Sequence, residues 1–305
     1  MQILVALGGN ALLKRGEPLT MEAQWQNTRV AARALEGIAR NHQLVLTHGN
    51  GPQIGLLAMQ SVTFKDIEPY PLHVMGAATA GMIGYMIEQE LGNLLGYDVP
   101  IATILTRVEV DLDDPEFSNP SKFVGPGFTK EQTHALAQKN NWVFKQDGDS
   151  WRRVVPSPQP KNILWHRPIR WLLQNGSVVI CSGGGGVPIH YLPGTKIAVG
   201  VEAVIDKDRA SGLLASELPA ELFVIATDVE GVYIEYGTPQ QRLLTRTTPS
   251  ELENLGFSKG SMSPKVESAC LFVRRTGNPA VIGALEDIDK IVKGEAGTLI
   301  EPDPK

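Results

Sequence analysis

Ile3-Leu4-Val5-Ala6-Leu7, followed at once by Gly8-Gly9-Asn10-Ala11, is the stretch whose reading decides the fold. The unbroken apolar run reads as a buried strand. The glycines that end it let backbone N–H groups approach a ligand closely, and a helix start after such a turn favours anions. The pattern recurs downstream. Leu44 to Thr47 is a second strand, and it ends in His48-Gly49-Asn50-Gly51-Pro52-Gln53, where proline in the first turn opens a helix. Val178 to Cys181 runs into Gly183-Gly184-Gly185-Gly186, and Leu222 to Thr227 runs into Asp228.

Working outward, helices are expected from Met21 to Asn41, from Val74 to Leu95 and from Val266 to Arg275, with further strands at Ile101 to Leu105 and Ala280 to Ile282. This alternation indicates an α/β sandwich with a mostly parallel sheet. Small residues at Gly76, Ala80 and Gly84 would let another backbone approach the second long helix, for core packing in preference to a dimer contact. Between Asp111 and Pro168 the rhythm breaks, with prolines, charges, Trp142, Trp151 and Trp165 and little helical periodicity. A structureless loop of that length is unusual, so 111–168 is expected to be a small inserted subdomain with hairpins around Trp142-Val143-Phe144 and Trp151 to Val155. Placed over the ligand edge of the sheet, it would serve as a lid.

Composition narrows the classes. A chain of 305 residues with 42% hydrophobic and 20% charged residues is ordinary for a globular protein. Its net charge of −5 argues against nucleic-acid binding, and the absence of long apolar runs argues against a membrane span. Two cysteines, Cys181 and Cys270, suit a reducing cytoplasm. The apolar start is broken by Gly8-Gly9-Asn10 and has no basic leader, so it reads as a strand and turn and not as a signal peptide.

Several glycine turns on one sheet edge, with lysines nearby, suggest a site for phosphate groups. Lys207 lies between Asp206 and Asp208, and Lys265 follows Gly260-Ser261-Met262-Ser263-Pro264 at a helix start. Cations are disfavoured at a helix N-terminus unless an anion is bound there. The P-loop, dinucleotide-binding and protein-kinase motifs are all missing. Gly183 to Gly186 serves either phosphate binding or close packing. No histidines show metal-ligand spacing, no metal ligands are assigned, and His48 is the one histidine worth testing.

Taken in order, Gly8-Gly9-Asn10-Ala11, His48 to Gln53, Arg152-Arg153-Val154-Val155-Pro156-Ser157-Pro158, Gly183 to Pro188, Glu202 to Asp208, Thr227-Asp228 and Gly260 to Lys265 resemble the carbamate kinases of the amino-acid-kinase superfamily. The resemblance spans essentially the whole chain. It implies one amino-acid-kinase domain over 1–305, a three-layer αβα sandwich carrying the protruding lid subdomain, and a homodimer. It implies reversible phosphoryl transfer between ATP and carbamate, giving ADP and carbamoyl phosphate with Mg2+. In many members this runs toward ATP, in arginine or purine/allantoin catabolism. By resemblance Lys207, Lys265, Asp208 and the lid lysine Lys122 are catalytic. Gly8, Gly9, Asn10, Ala11, Gly49, Asn50 and Gly51 hold substrate, and Thr227, Asp228, Met262 and Lys265 lie at the nucleotide.

The chain departs from the family pattern at Ala78-Thr79-Ala80-Gly81, Gly127-Phe128 and Trp165-His166, changes that bear on lid closure and substrate preference. Alternatives on the same fold are a binding regulator without turnover and a kinase for another small acid. Both phosphate lysines are expected to be unpaired and surface-type, so that their removal would leave thermal stability nearly unchanged.

Overall fold

The computed structural model describes residues 1–13, 17–18, 20–62, 68–256 and 262–304, with the side chains of Asn10 and Ala11 outside that description. Its centre is an eight-stranded sheet. In chain order its strands are β1 (Gln2–Leu7), β2 (Gln43–His48), β3 (Ile101–Ile104), β4 (Val178–Cys181), β5 (Leu222–Thr227), β6 (Arg246–Thr247), β7 (Ala280–Ala284) and β8 (Thr298–Ile300). They lie in the order β6-β8-β7-β5-β1-β2-β4-β3. Every neighbouring pair is parallel except β7–β8, so β6 and β8 form an edge of opposite sense.

Two-residue alternation divides each central strand between two cores. Leu4, Ala6, Val45, Val179, Phe223 and Ile225 face one side. There they meet helices α6 (His166–Gln174), α7 (Lys207–Glu217), α8 (Pro249–Leu255) and α9 (Ser263–Thr276). Ile3, Val5, Leu7, Leu44, Leu46 and Val224 face the other. That side is covered by α2 (Met21–Asn41), α4 (Leu72–Leu95) and α10 (Ile288–Val292). The result is a three-layer αβα sandwich. The small-residue stripe of α4 packs within the chain: a side chain at Gly84 would strike Thr103 of β3 at 2.3 Å. Strands of two and three residues, such as β6 and β8, are too short to show a readable period, and the sequence reading passes over them.

Residues between β3 and β4 leave this body. Strand Arg107–Val110 joins a four-stranded sheet with Pro160–Ile163, Val187–Tyr191 and Ala198–Gly200. Between its first two strands the chain forms a separate three-stranded sheet from Lys122–Phe128, Val143–Asp147 and Ser150–Val155, flanked by helix α5 (Lys130–Asn140). A hairpin indeed joins Trp142-Val143-Phe144 to Trp151–Val155. Helix α5 is a correction to the reading of little helical character. Its start is set by a capping box between Thr129 and Gln132, and it buries little, so it has almost no apolar stripe to read.

This outer sheet touches the body through a satellite core of Ile54, Ala58, Leu72, Met75, Val124, Val155 and Val204. Its closest approach is backbone to backbone. A side chain at Gly55, in α3 (Gly51–Ser61), would fall 2.0 Å from the Cα of Gly125.

Candidate active site

The ends of β1, β2, β4 and β5 converge. Gly8 donates its backbone N–H to the Ala226 carbonyl at 3.0 Å, and Gly49 donates to Leu7 at 3.2 Å. A Cβ at Gly49 would stand 3.3 Å from the Gly9 backbone and 3.8 Å from Cδ of Lys207. The first two glycine turns and Lys207 therefore share one place. Helix α1 (Gly9–Leu12) follows the first turn, and it contains Asn10 and Ala11. Asn50 begins α3, whose N-terminus faces the same edge.

Lys207 is the first residue of α7. Its Nζ donates to Oδ1 of Asp208 at 2.7 Å, and Nζ of Lys265 donates to Oδ2 of the same carboxylate at 2.9 Å. Asp206 caps α7, accepting from the N–H groups of Asp208 at 2.9 Å and Arg209 at 3.4 Å. Its second oxygen accepts from Nζ of Lys122, which comes down from the outer sheet. Three ammonium groups on three separated segments are thus held by two adjacent carboxylates.

The cluster is largely buried, with Lys207 9% and Asp208 3% exposed. Neither phosphate lysine is unpaired or surface-type, which corrects the sequence reading. Burial opposes ionisation of both aspartates, yet Lys122, Lys265 and Lys207 hold Asp206 well below the usual carboxylate range. Lys207 and Lys265 likewise hold Asp208 low. Burial lowers Lys207 itself despite Asp208. A short chain of hydroxyls fixes this turn: Thr47 and Ser211 lie 2.6 Å apart, and Ser211 donates to the Lys207 carbonyl at 2.6 Å.

Around the cluster, Asn50 donates to Thr79 at 2.9 Å, and the Thr79 hydroxyl donates back to Met75 of its own helix. The family departure at Ala78-Thr79-Ala80 therefore supplies an acceptor that orients Asn50. Thr79 is a site residue that sequence reasoning counted only as a difference. His48 is buried, and its Nδ1 donates to the Gly49 carbonyl at 3.1 Å. Burial pushes its imidazole down to about 4, and Lys207 acts in the same sense. The ring is therefore neutral at pH 7.

Gly183 to Gly186 form the floor. Side chains at Gly183 and Gly184 would collide with His48 and Asn50 at 2.5 and 2.1 Å, and φ is +66° at Gly184. Close packing against the His48-Gly49-Asn50 turn accounts for this run.

At the other end, Thr227 donates to Asp228 at 3.1 Å, and the Asp228 carboxylate is among the charges that favour the ammonium form of Lys265. Met262 precedes α9 and packs on the core. Gly260 and Ser261 lie outside the described residues. Asp206 was not assigned a role from sequence. Its signal was its place as an acidic residue directly before a helix. The remaining departures lie elsewhere: Gly127 faces Ser150, and Trp165 lies under the Arg107 guanidinium at 5.5 Å.

Comparison with known proteins places the chain in a family. The sequence pattern of the amino acid kinase family matches residues 1–284. The chain is 55% identical over 300 residues to a carbamate kinase of Haemophilus influenzae, covering 98% of this chain and 96% of that one. A carbamate kinase from Giardia lamblia bound to citric acid superposes with a TM-score of 0.92 at 37% identity, over 99% of this chain and 98% of that one. The same Giardia lamblia enzyme bound to AMP-PNP gives 0.89 at 37% identity, over 99% and 98%. The chain belongs to the amino acid kinase family, among its carbamate kinases.

Proposed function

We propose that the protein transfers a phosphoryl group reversibly between ATP and carbamate, running toward ATP from carbamoyl phosphate and ADP. The observation that carries this reading is the trio Lys122, Lys207 and Lys265, oriented by Asp206 and Asp208 where the strand ends converge. Toward ATP, an oxygen of the ADP β-phosphate attacks phosphorus, and carbamate departs with the electron pair of the broken P–O bond. Both nucleophile and leaving group are anionic oxygens, so no general base is required.

Catalysis then rests on position and on spread positive charge. Lys207 and Lys122 meet the transferring group, and Lys265 meets the nucleotide phosphates. Gly8, Gly9 and Asn10 cradle that group, and Gly49, Asn50 and Gly51 hold the carbamate end. Thr227, Asp228 and Met262 border the nucleotide. A binding protein without turnover has no use for three ammonium groups oriented in this way.

A magnesium ion would enter with the nucleotide, since the site's carboxylates are held by lysines. Asp206 and Asp208 are already engaged by lysines, and among the described residues no group of three or more His, Cys, Asp or Glu could hold an ion. Bound mainly by phosphate oxygens, the ion would neutralise charge on the moving group. The metal-free protein should stay folded while EDTA abolishes turnover, and tight metal binding without nucleotide would overturn this.

The segment 111–168 acts as a lid that keeps water from the labile anhydride. A homodimer is favoured by the open edge of β3, where Leu105 and nearby Tyr85 are more than half exposed. A cytoplasmic location fits two free cysteines, and among the described residues no helix is long and apolar enough to cross a membrane. Light scattering tests the dimer. The function is tested by ATP formation from ADP with a panel of acyl phosphates. Carbamoyl phosphate should give the highest kcat/KM, and a better substrate in that panel sinks the assignment.

A further inference from the structure

Arg152 and Arg153 adjoin in a strand and so face opposite sides. Arg152 is satisfied, donating to Asp147 at 2.8 Å and to the Gly125 carbonyl at 3.1 Å. Arg153 is not. Its guanidinium lies 4.0 Å from the ring centre of Trp142. Among the described residues, no hydrogen bond to it is formed and no carboxylate lies within 4.0 Å, and its Nε is fully buried without a partner. Burial pushes this guanidinium down to about 10, with the more distant Glu202 only partly opposing. A buried donor of this kind calls for an acceptor.

The guanidinium borders a cleft of about 620 Å³, a size suited to a small metabolite. Lys139, Trp142 and Arg153 line it from the outer sheet and its helix, and Tyr70, Met75 and Glu202 line it from the body. None of Lys122, Asp206, Lys207, Asp208 or Lys265 is among its lining residues, so it is distinct from the lysine cluster.

We propose that this cleft is a second ligand site, for a small organic carboxylate that forks onto Arg153 above Trp142 and bridges the outer sheet to the body. A guanidinium on an aromatic face presents its donors in the plane that a carboxylate matches. Met75 and Tyr70 offer apolar surface to the rest of the ligand. Glu68 and Glu202 on the rim disfavour a doubly charged phosphate. Occupancy would hold the outer sheet over the active site, so the ligand would modulate turnover without touching the reacting groups.

The test is calorimetric titration of the full chain with acetate, butyrate, succinate and inorganic phosphate. At least one carboxylate should bind saturably. Arg153→Lys, which keeps the charge and loses the fork, should weaken that binding by about tenfold or more, and Lys207→Ala should leave it unchanged. Trp142→Leu provides a second variant if Arg153→Lys melts early by circular dichroism. The proposal is overturned if no carboxylate saturates, if both cleft variants bind as well as the parent, if Lys207→Ala abolishes binding, or if phosphate alone binds through Arg153. None of these readouts needs turnover, so failure here leaves the kinase reading standing.

Discussion

The central sheet and the outer three-stranded sheet are built on opposite terms. β1 is buried along nearly its whole length, and its neighbours β2 and β5 are nearly as dry. In the outer sheet, Val143–Asp147 and Ser150–Val155 are largely half-exposed. The body is held by large two-sided burial, which is spread over many residues and resists displacement. The outer sheet is held by a small satellite core, one close glycine contact and the ion pair from Lys122 to Asp206. Few attachments mean a lower local cost of opening. Rigid and adjustable parts of one lysine–carboxylate cluster are therefore supplied by regions of unequal stability. Lys207 and Lys265 stand on the rigid part, and Lys122 stands on the adjustable one.

The sharpest way to break this comparison is to remove a lysine from the rigid part. Lys207→Ala or Lys265→Ala should each lower kcat by roughly 10²–10³, the scale for losing one preorganised electrostatic contact. Because both lysines pair with the buried Asp208, each change should also cost about 1–3 kcal/mol of stability, visible in chemical denaturation. An effect of tenfold or less on turnover from both would remove them from the site.

The attachment of the outer sheet is tested next. Gly55→Ala forces a methyl against the Gly125 backbone, an overpacking worth about 1–3 kcal/mol. Limited proteolysis should then cut within 122–155 faster, with kcat falling as the sheet lifts. Unchanged proteolysis would mean that the glycine contact is not what seats it.

Lys122→Ala should have a smaller effect, of about tenfold in kcat, with ADP affinity nearly unchanged. Contacts made only in the transition state appear in kcat and kcat/KM together, whereas uniform binding contacts appear in KM. Wild-type kinetics would make Lys122 a structural tether only.

The mildest test is acidification. The pKa of His48 is depressed on folding from near 6.5 to about 4, so the unfolded chain binds the extra proton between those values. Its contribution is present above pH 6.5 and is lost as pH falls toward 4, by about 1–3 kcal/mol. The aspartates act lower, since their depressed pKa values withdraw stability only below the ordinary carboxylate range. Urea melts at pH 4.5 and 7 should therefore converge in His48→Gln but not in the parent. Parallel losses in both proteins would assign the slope to other groups.

Much of the fold was legible because its strands are apolar runs ending in glycine, and local composition expresses both features directly. The same holds for Lys207, Asp208 and Lys265, whose neighbours in sequence carry the pattern. Helix α5 was illegible because a helix that buries little leaves no stripe. Asp206 was half-legible as a cap, and its second bond to Lys122 was invisible, since the two are 84 positions apart. Thr79 registered only as a departure, because its link to Asn50 depends on where α4 crosses the turn that ends β2.

Chain neighbours alone were enough to give the strand–turn–helix order and to mark Lys207, Asp208 and Lys265 as candidates, since hydrophobic period and glycine turns act over a few neighbouring positions. Tertiary structure alone decided that three distant lysines share two carboxylates, that His48 is driven neutral, and that Arg153 faces a cleft with its Nε left without a partner among the described residues. Charge, burial and hydrogen-bond satisfaction are properties of a position in space, and chain neighbours do not supply it.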